Sequence, residues 1–340
     1  MRKIIFGLLA LTAISCNSQK TTKEFSLTGF TNAIQNGTFL YLDNILEKKI
    51  IDSAKVENNS FYFHTKLTES PLRVVLHTKD RSKYRYLWLE NNEMIFDARK
   101  TDFKQANVTG SITEDLKQRL RKEIDGLSKD ERQKKEMEFV KNNPNSIVSM
   151  AVLAVYSKTW GKEKTKELFD LFSTENKNSE YGKRISKFIE LNKTPNVGER
   201  YIDFELEDTN GKIKKLSDLK DKIVLLEFWG SLCGPCRKEN PNLVKTYEKY
   251  NPYGFEIFAV SLDSDKINWL NAIAKDKLPW LHVSDLKGSY NSASLIYGIH
   301  TIPANFLIDR DGTIVDRNLQ GDKLNIKLAE LISVDKKGYN

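Results

Sequence analysis

The chain has 340 residues, 39% hydrophobic and 29% charged, which is too long for one small fold and too apolar for wholesale disorder. Seventeen glycines, eight prolines and three cysteines exclude a collagen-like chain, a low-complexity chain and a disulfide scaffold. The net charge of +8 is spread thinly, with no dense Lys/Arg stripe of the kind nucleic-acid binders carry.

Residues 1–16 read as an address. Arg2 and Lys3 precede a largely apolar run at 4–14, far shorter than the roughly 20 residues of a spanning helix. The run ends in Leu11-Thr12-Ala13-Ile14-Ser15-Cys16. Small residues before a cysteine resemble the lipobox of bacterial lipoproteins, with Ala13 where leucine is usual. The resemblance implies cleavage before Cys16 and lipids on it. An ordinary cleaved signal with an incidental cysteine is the other reading. More than one acyl chain is needed for stable anchoring. Residues 17–24 are polar and basic and read as a tether.

Residues 25–110 predict an all-β antiparallel sandwich. Short alternating runs at 25–30, 38–42, 50–56, 61–67, 72–76, 84–89 and 94–97 are separated by turn signals such as Asn36-Gly37 and Asn58-Asn59. His64 and His77 on these strands read as ordinary strand residues. Residues 111–194 predict a helical region, a spacer or packing module, with helices at 112–127, 147–156, 163–172 and 181–191. Ser128-x-x-Glu131 fits a capping box that opens another helix.

Beyond a linker at 194–199, residues 195–340 predict an α/β sheet. A hairpin at 202–206 and 213–216 comes first. An apolar strand at 223–229 follows, of the kind buried mid-sheet, and then a helix from Pro235 to about residue 250. Strands at 255–261 and 280–283 alternate with helices at 266–274 and 289–297. A hairpin at 305–309 and 313–316 precedes a last helix at about 322–331.

With Cys16 lipidated, Cys233 and Cys236 are the cysteines left for chemistry. The apolar strand delivers Cys233 to a helix start, where unpaired N–H groups and the positive end of the dipole favour a thiolate. A thiol lowered from about 8.5 to about 7 is largely ionised and nucleophilic near neutrality. Cys236, one turn later, is placed to attack a mixed disulfide on Cys233. Pro235 suits the first helical turn. A zinc site would need a second ligand pair, and a structural disulfide over so short a loop adds little stability. Arg237 and Lys238 read mainly as solvated surface charge. Glu227, on an apolar strand, should be hard to ionise, so its pKa should rise.

The motif Phe228-Trp229 with Cys233-Gly234-Pro235-Cys236, then Pro241 and Thr301-Ile302-Pro303, resembles thioredoxin, and specifically the TlpA/ResA-like thiol–disulfide oxidoreductases. The resemblance covers about residues 195–335. It implies a thioredoxin-like fold, with Cys233 as attacker and Cys236 as resolver. It implies a cis-proline loop at Pro303 facing the cysteines, and substrate contacts at Trp229, Gly234, Pro235, Ile302 and Pro303. Glu227 aligns with thioredoxin's buried acid and is assigned proton transfer. Glu239 matches a glutamate of the TlpA/ResA-like branch, with an exposed helix carboxylate as the other reading. His300 reads equally as a neighbour of the site or a surface histidine. Leu232 stands where tryptophan is usual and Ala304 where threonine is usual, which bears on substrate preference.

The implied protein is a lipid-anchored periplasmic oxidoreductase that reduces disulfides of exported proteins, without metal or organic cofactor. Its partners are cysteine-containing exported proteins and a membrane electron donor. Asn17 is not the aspartate that retains lipoproteins at the inner membrane, so the outer membrane is preferred. The alternatives are a disulfide-donating oxidase, a peroxidase, or a binding lipoprotein with an accessory redoxin.

Overall fold

The computed structural model describes residues 24–337. The lipobox and Cys16 lie outside the described residues. The chain divides into two compact units, Met1–Glu123 and Ile124–Asn340.

The first unit contains β1 (Ser26–Thr31), β2 (Phe39–Asn44), β3 (Lys49–Lys55), β4 (Ser60–Phe63), β5 (Leu72–Thr78), β6 (Tyr84–Leu89), β7 (Glu93–Ala98) and β8 (Asn107–Thr109), followed by α1 (Ile112–Ile124). Two four-stranded sheets, β4-β1-β7-β8 and β3-β2-β5-β6, contribute to one apolar core. Alternation builds it: Leu40 and Leu42 from one sheet join Leu27, Phe61, Phe63 and Phe96 from the other. One expectation is corrected: β1 pairs parallel with β7, so the sheets are not wholly antiparallel. Asn58 and Asn59 form the expected turn, both with positive φ, yet β3 and β4 go to different sheets. His77 is buried with Nε2 2.9 Å from Asp43, and His64 follows β4 at the surface. Glu114 is buried against the Arg85 guanidinium at 3.0 Å, and burial raises its pKa to about 7.

The second unit opens with α2 (Lys129–Asn142), α3 (Ile147–Asp170), α4 (Thr174–Asn178) and α5 (Glu180–Leu191). The capping box forms: Ser128 accepts from the Glu131 N–H while the Glu131 carboxylate accepts from the Ser128 N–H. The two helices expected at 147–156 and 163–172 meet within α3 at Gly161, where the chain kinks with a φ of 78° that suits glycine.

The rest is β9 (Glu205–Asp208), β10 (Ile213–Lys215), β11 (Ile223–Trp229), α6 (Gly234–Tyr250), β12 (Phe255–Ser261), α7 (Lys266–Asp276), β13 (Leu281–Ser284), α8 (Ser292–Ile296), β14 (Ala304–Ile308), β15 (Ile314–Arg317) and α9 (Gly321–Lys337). They form a seven-stranded mixed sheet, β10-β9-β13-β12-β11-β14-β15, with helices alongside. β9 starts later than expected because the preceding backbone bonds elsewhere: the Tyr201 N–H donates to the Gly312 carbonyl and the Ile202 N–H to the Tyr297 hydroxyl.

All seven residues of β11 are buried, as the apolar run requires. It runs parallel to β12 and antiparallel to β14. Ile223, Leu225 and Trp229 share one core with Cys236, Leu243 and Tyr250 of α6 and with Leu324 and Leu328 of α9. Val224, Leu226 and Phe228 point the other way, into a core with Ala293, Tyr297 and Phe306. By this alternation Glu227 belongs to the α6 face.

The helical segment packs on the α8 side. Asn192 Nδ2 donates to the Leu295 carbonyl at 2.9 Å, and the Lys193 and Thr194 N–H groups both donate to the Ile296 carbonyl. The Arg184 guanidinium lies 4.7 Å from the centre of the Tyr290 ring.

Candidate active site

β11 ends at Trp229, and four residues later the chain turns into α6. Cys233 is the N-cap of that helix, and its Sγ accepts from the Cys236 N–H at 3.2 Å. The Cys236 N–H and the positive end of the helix dipole therefore meet at this sulfur. Cys233 and Cys236 are joined in a disulfide with Cα atoms 5.2 Å apart. Cys233 is half-buried, whereas Cys236 is 0% exposed within the α6 core. Gly234 and Pro235 are exposed beside them, Pro235 sits in the first helical turn, and Pro241 lies within α6.

Pro303 follows a cis peptide bond from Ile302. Ala304, the next residue, pairs with Phe228, so the loop at 300–303 lies at the carboxyl end of β11, beside Trp229. Ile302 packs with the same core as both cysteines, and a Cβ built on Gly230 would meet its Cδ1 at 3.3 Å. Trp229 is buried, Ile302 and Pro303 are half-buried, and Leu232 is 87% exposed. His300 is exposed, its Nδ1 3.1 Å from the Gly298 carbonyl.

Glu227 is 4% exposed, and its pKa is raised to about 8, chiefly by burial and then by the Glu239 charge. Glu239 is half-buried on α6; its Oε1 accepts from the Gly321 N–H at 2.8 Å and its Oε2 from Asn242 Nδ2 at 3.2 Å. It thus holds the first residue of α9 while acting electrostatically on Glu227.

Sequence reading missed how the turn ahead of Cys233 is clamped. Asp263, buried just past β12, accepts from the Ser231 N–H at 2.9 Å, the Ser231 hydroxyl at 2.5 Å and the Ser261 hydroxyl at 2.7 Å. Arg237 grips the same turn from α6. Its Nη1 donates to the Ser231 carbonyl at 3.0 Å, while Nε and Nη2 fork onto Asp276 of α7, which also accepts from Asn240. Arg237 is therefore a paired side chain, not solvated surface charge. A carboxylate at the end of a buried strand was the available signal for Asp263. Its network rests on folding contacts, so spacing alone does not reveal it. Asp263→Ala orphans these donors and should cost about 3 kcal/mol, seen as a lower midpoint in denaturant unfolding of the oxidised protein.

Residues 197–317 match the AhpC/TSA family, and residues 25–116 match a domain of unknown function (DUF4369). The thiol–disulfide oxidoreductase ResA of Bacillus thuringiensis subsp. konkukian is 33% identical over 136 residues, which cover 40% of this chain and 76% of that protein. ResA of Bacillus subtilis is 39% identical over 112 residues, covering 33% of this chain and 61% of that protein. The thioredoxin domain of a thiol–disulfide oxidoreductase from Bacteroides vulgatus is 34% identical, covers 41% of this chain and 99% of that chain, and superposes with a TM-score of 0.39. With a mixed sheet that carries the Cys233–Cys236 pair at a helix start, the chain belongs to the ResA-like thiol–disulfide oxidoreductases and has their thioredoxin-like fold.

Proposed function

We propose that the protein is a lipid-anchored reductase of the periplasm, which reduces disulfides of exported proteins through Cys233 and Cys236. The observation that carries this reading is the asymmetry of the two sulfurs. Cys233 is reachable and sits where a helix start stabilises an anion, while Cys236 is fully buried one turn behind it.

In the dithiol form the Cys233 thiolate attacks a target disulfide. A Cys233–target disulfide forms and the target's other sulfur leaves as a thiolate. Cys236 then loses its proton and attacks the Cys233 sulfur. The Cys233–Cys236 disulfide forms and the target's second sulfur leaves. Two electrons have moved from the dithiol to the target. Glu227, on the same sheet face, takes the Cys236 proton in this step through its ionised fraction, which a pKa of about 8 makes the smaller one at neutral pH. A membrane dithiol donor reverses the sequence on the enzyme. Protonated Glu227, favoured by a pKa of about 8, then returns the proton to the departing Cys236 sulfur. Burial is the main cause of that raised pKa, and Glu239 adds to it while ordering α9. Gly234, Pro235, Ile302 and Pro303 form the docking rim for the target chain, and Trp229 lies buried beneath it. Insulin reduction that requires Cys233 is the direct test.

The leader supports the address. Cys16 is assigned the acyl chains, and Asn17 favours the outer membrane. Among the described residues no helix is long and apolar enough to cross a membrane. Cys16→Ser should move the protein from the membrane to the soluble fraction of lysed cells. Retention of that variant with membranes overturns the anchor.

A further inference from the structure

Lys158 is a cation that the dithiol chemistry does not use. It reaches from α3 to the segment that leads into the Pro303 loop. Its Nζ donates to the Ile299 carbonyl at 2.9 Å, to Ser294 Oγ at 3.2 Å and to the Ser289 carbonyl. All three acceptors are neutral, so the charge is held without being neutralised. Burial lowers its pKa to about 8, which leaves it mostly protonated at neutral pH.

Lys158 lines a groove of about 450 Å³ between α3 and the loop. Val155 and Thr159, both exposed, form the α3 wall, and His300 and Thr301 form the opposite rim. Leu262 and Ile302 also line it, and both abut the end of β11. The Leu262 N–H donates to the Trp229 carbonyl at 2.8 Å, and Ile302 packs beside Gly230. The groove therefore adjoins the dithiol site, with Ile302 shared between them. A polypeptide joined to Cys233 has its flanking residues delivered to it, and the unneutralised ammonium sets the electrostatic preference.

We propose that this groove receives the segment flanking the reactive cysteine of a target protein, and that Lys158 favours acidic side chains in that segment. The proposal rests on the reductase reading above. The helical segment thereby becomes a specificity wall for the redox site.

The test uses the full chain at neutral pH and low salt, with dithiothreitol as reductant. Two synthetic cysteine peptides, each a symmetrical disulfide, differ in carrying Asp or Asn on both sides of the cysteine. The wild type should reduce the Asp peptide with kcat/KM about fivefold higher, and added salt should erase the difference. Lys158→Met should bring the ratio to one. Thr159→Glu, which places an opposing charge on an exposed rim residue beside the intact Lys158, should lower it towards one. A ratio cancels any general loss of folded enzyme. Equal rates on both peptides in the wild type, or a ratio unchanged in both variants, overturns the proposal. Neutral 2-hydroxyethyl disulfide separates the two failures. Turnover of it beside equal peptide rates sinks the groove alone, and no turnover sinks the reductase reading and the groove together.

Discussion

Cys236→Ser should accumulate covalent adducts with target proteins, whereas Cys233→Ser should form none and should reduce insulin no faster than buffered dithiothreitol. The difference follows from access. Cys236 is 0% exposed, so without Cys233 no cysteine among the described residues reaches a visiting chain. Serine at 236 leaves the attacking sulfur in place at its N-cap but removes the second attack, because a hydroxyl does not displace a thiolate here. The mixed disulfide then has no internal route to release. Non-reducing gels of thiol-trapped cells read the adducts, and mass spectrometry places the bond. Adducts through residue 236 in the Cys233→Ser variant, or insulin reduction by that variant at the wild-type rate, would end the proposed order of attack.

Glu227→Gln should slow turnover by about a hundredfold near neutrality, the scale expected when a positioned acid–base group is lost. Glutamine keeps the size of the side chain but carries no transferable proton. The defect should fall on the steps at Cys236. First attack on the target by Cys233 should stay near the wild-type rate, so single-turnover kinetics separate the two. In the wild type, recharging of the disulfide, normalised for reductant thiolate, should decline as pH rises past about 8, where Glu227 loses its proton. The Gln variant should be flat there. Stability moves in the same direction. The folded pKa lies above the usual 4.5, so the native oxidised protein binds the extra proton. Stability is then greatest below the ordinary carboxylate range and is lost as pH rises towards about 8. Glu114, also raised, has the same sign, but it is present in both proteins and drops out of the comparison. Parallel unfolding curves for wild type and Glu227→Gln at acid and alkaline pH would rule out a buried, protonated Glu227.

The α/β part was legible because its signals are local. A seven-residue run that is apolar apart from Glu227 is a buried strand, a proline after a cysteine marks a helix start, and Asp311-Gly312 marks a hairpin. The burial of Glu227 followed from the same run. The parallel β1–β7 pair was not legible, since alternation reports which face is buried and not which strand lies alongside. The grip of Asp263 and Arg237 on Ser231 escaped for a related reason. Its partners come from β12, α6 and α7, up to 39 residues apart, and only folding assembles them. Lys158 carries no signal in the sequence, because its three acceptors, over 130 residues away, are assembled only by folding.

The ties from Asn192, Lys193 and Thr194 to the Leu295 and Ile296 carbonyls cross the point where the sequence changes character, near residue 195. Excising a minimal catalytic fragment there would cut through a sewn seam. The freed carbonyls would turn to water, and the face that met α5 would become a sticky patch. Engineering that keeps the helices attached therefore preserves both the solubility of the fragment and one lip of its substrate cleft.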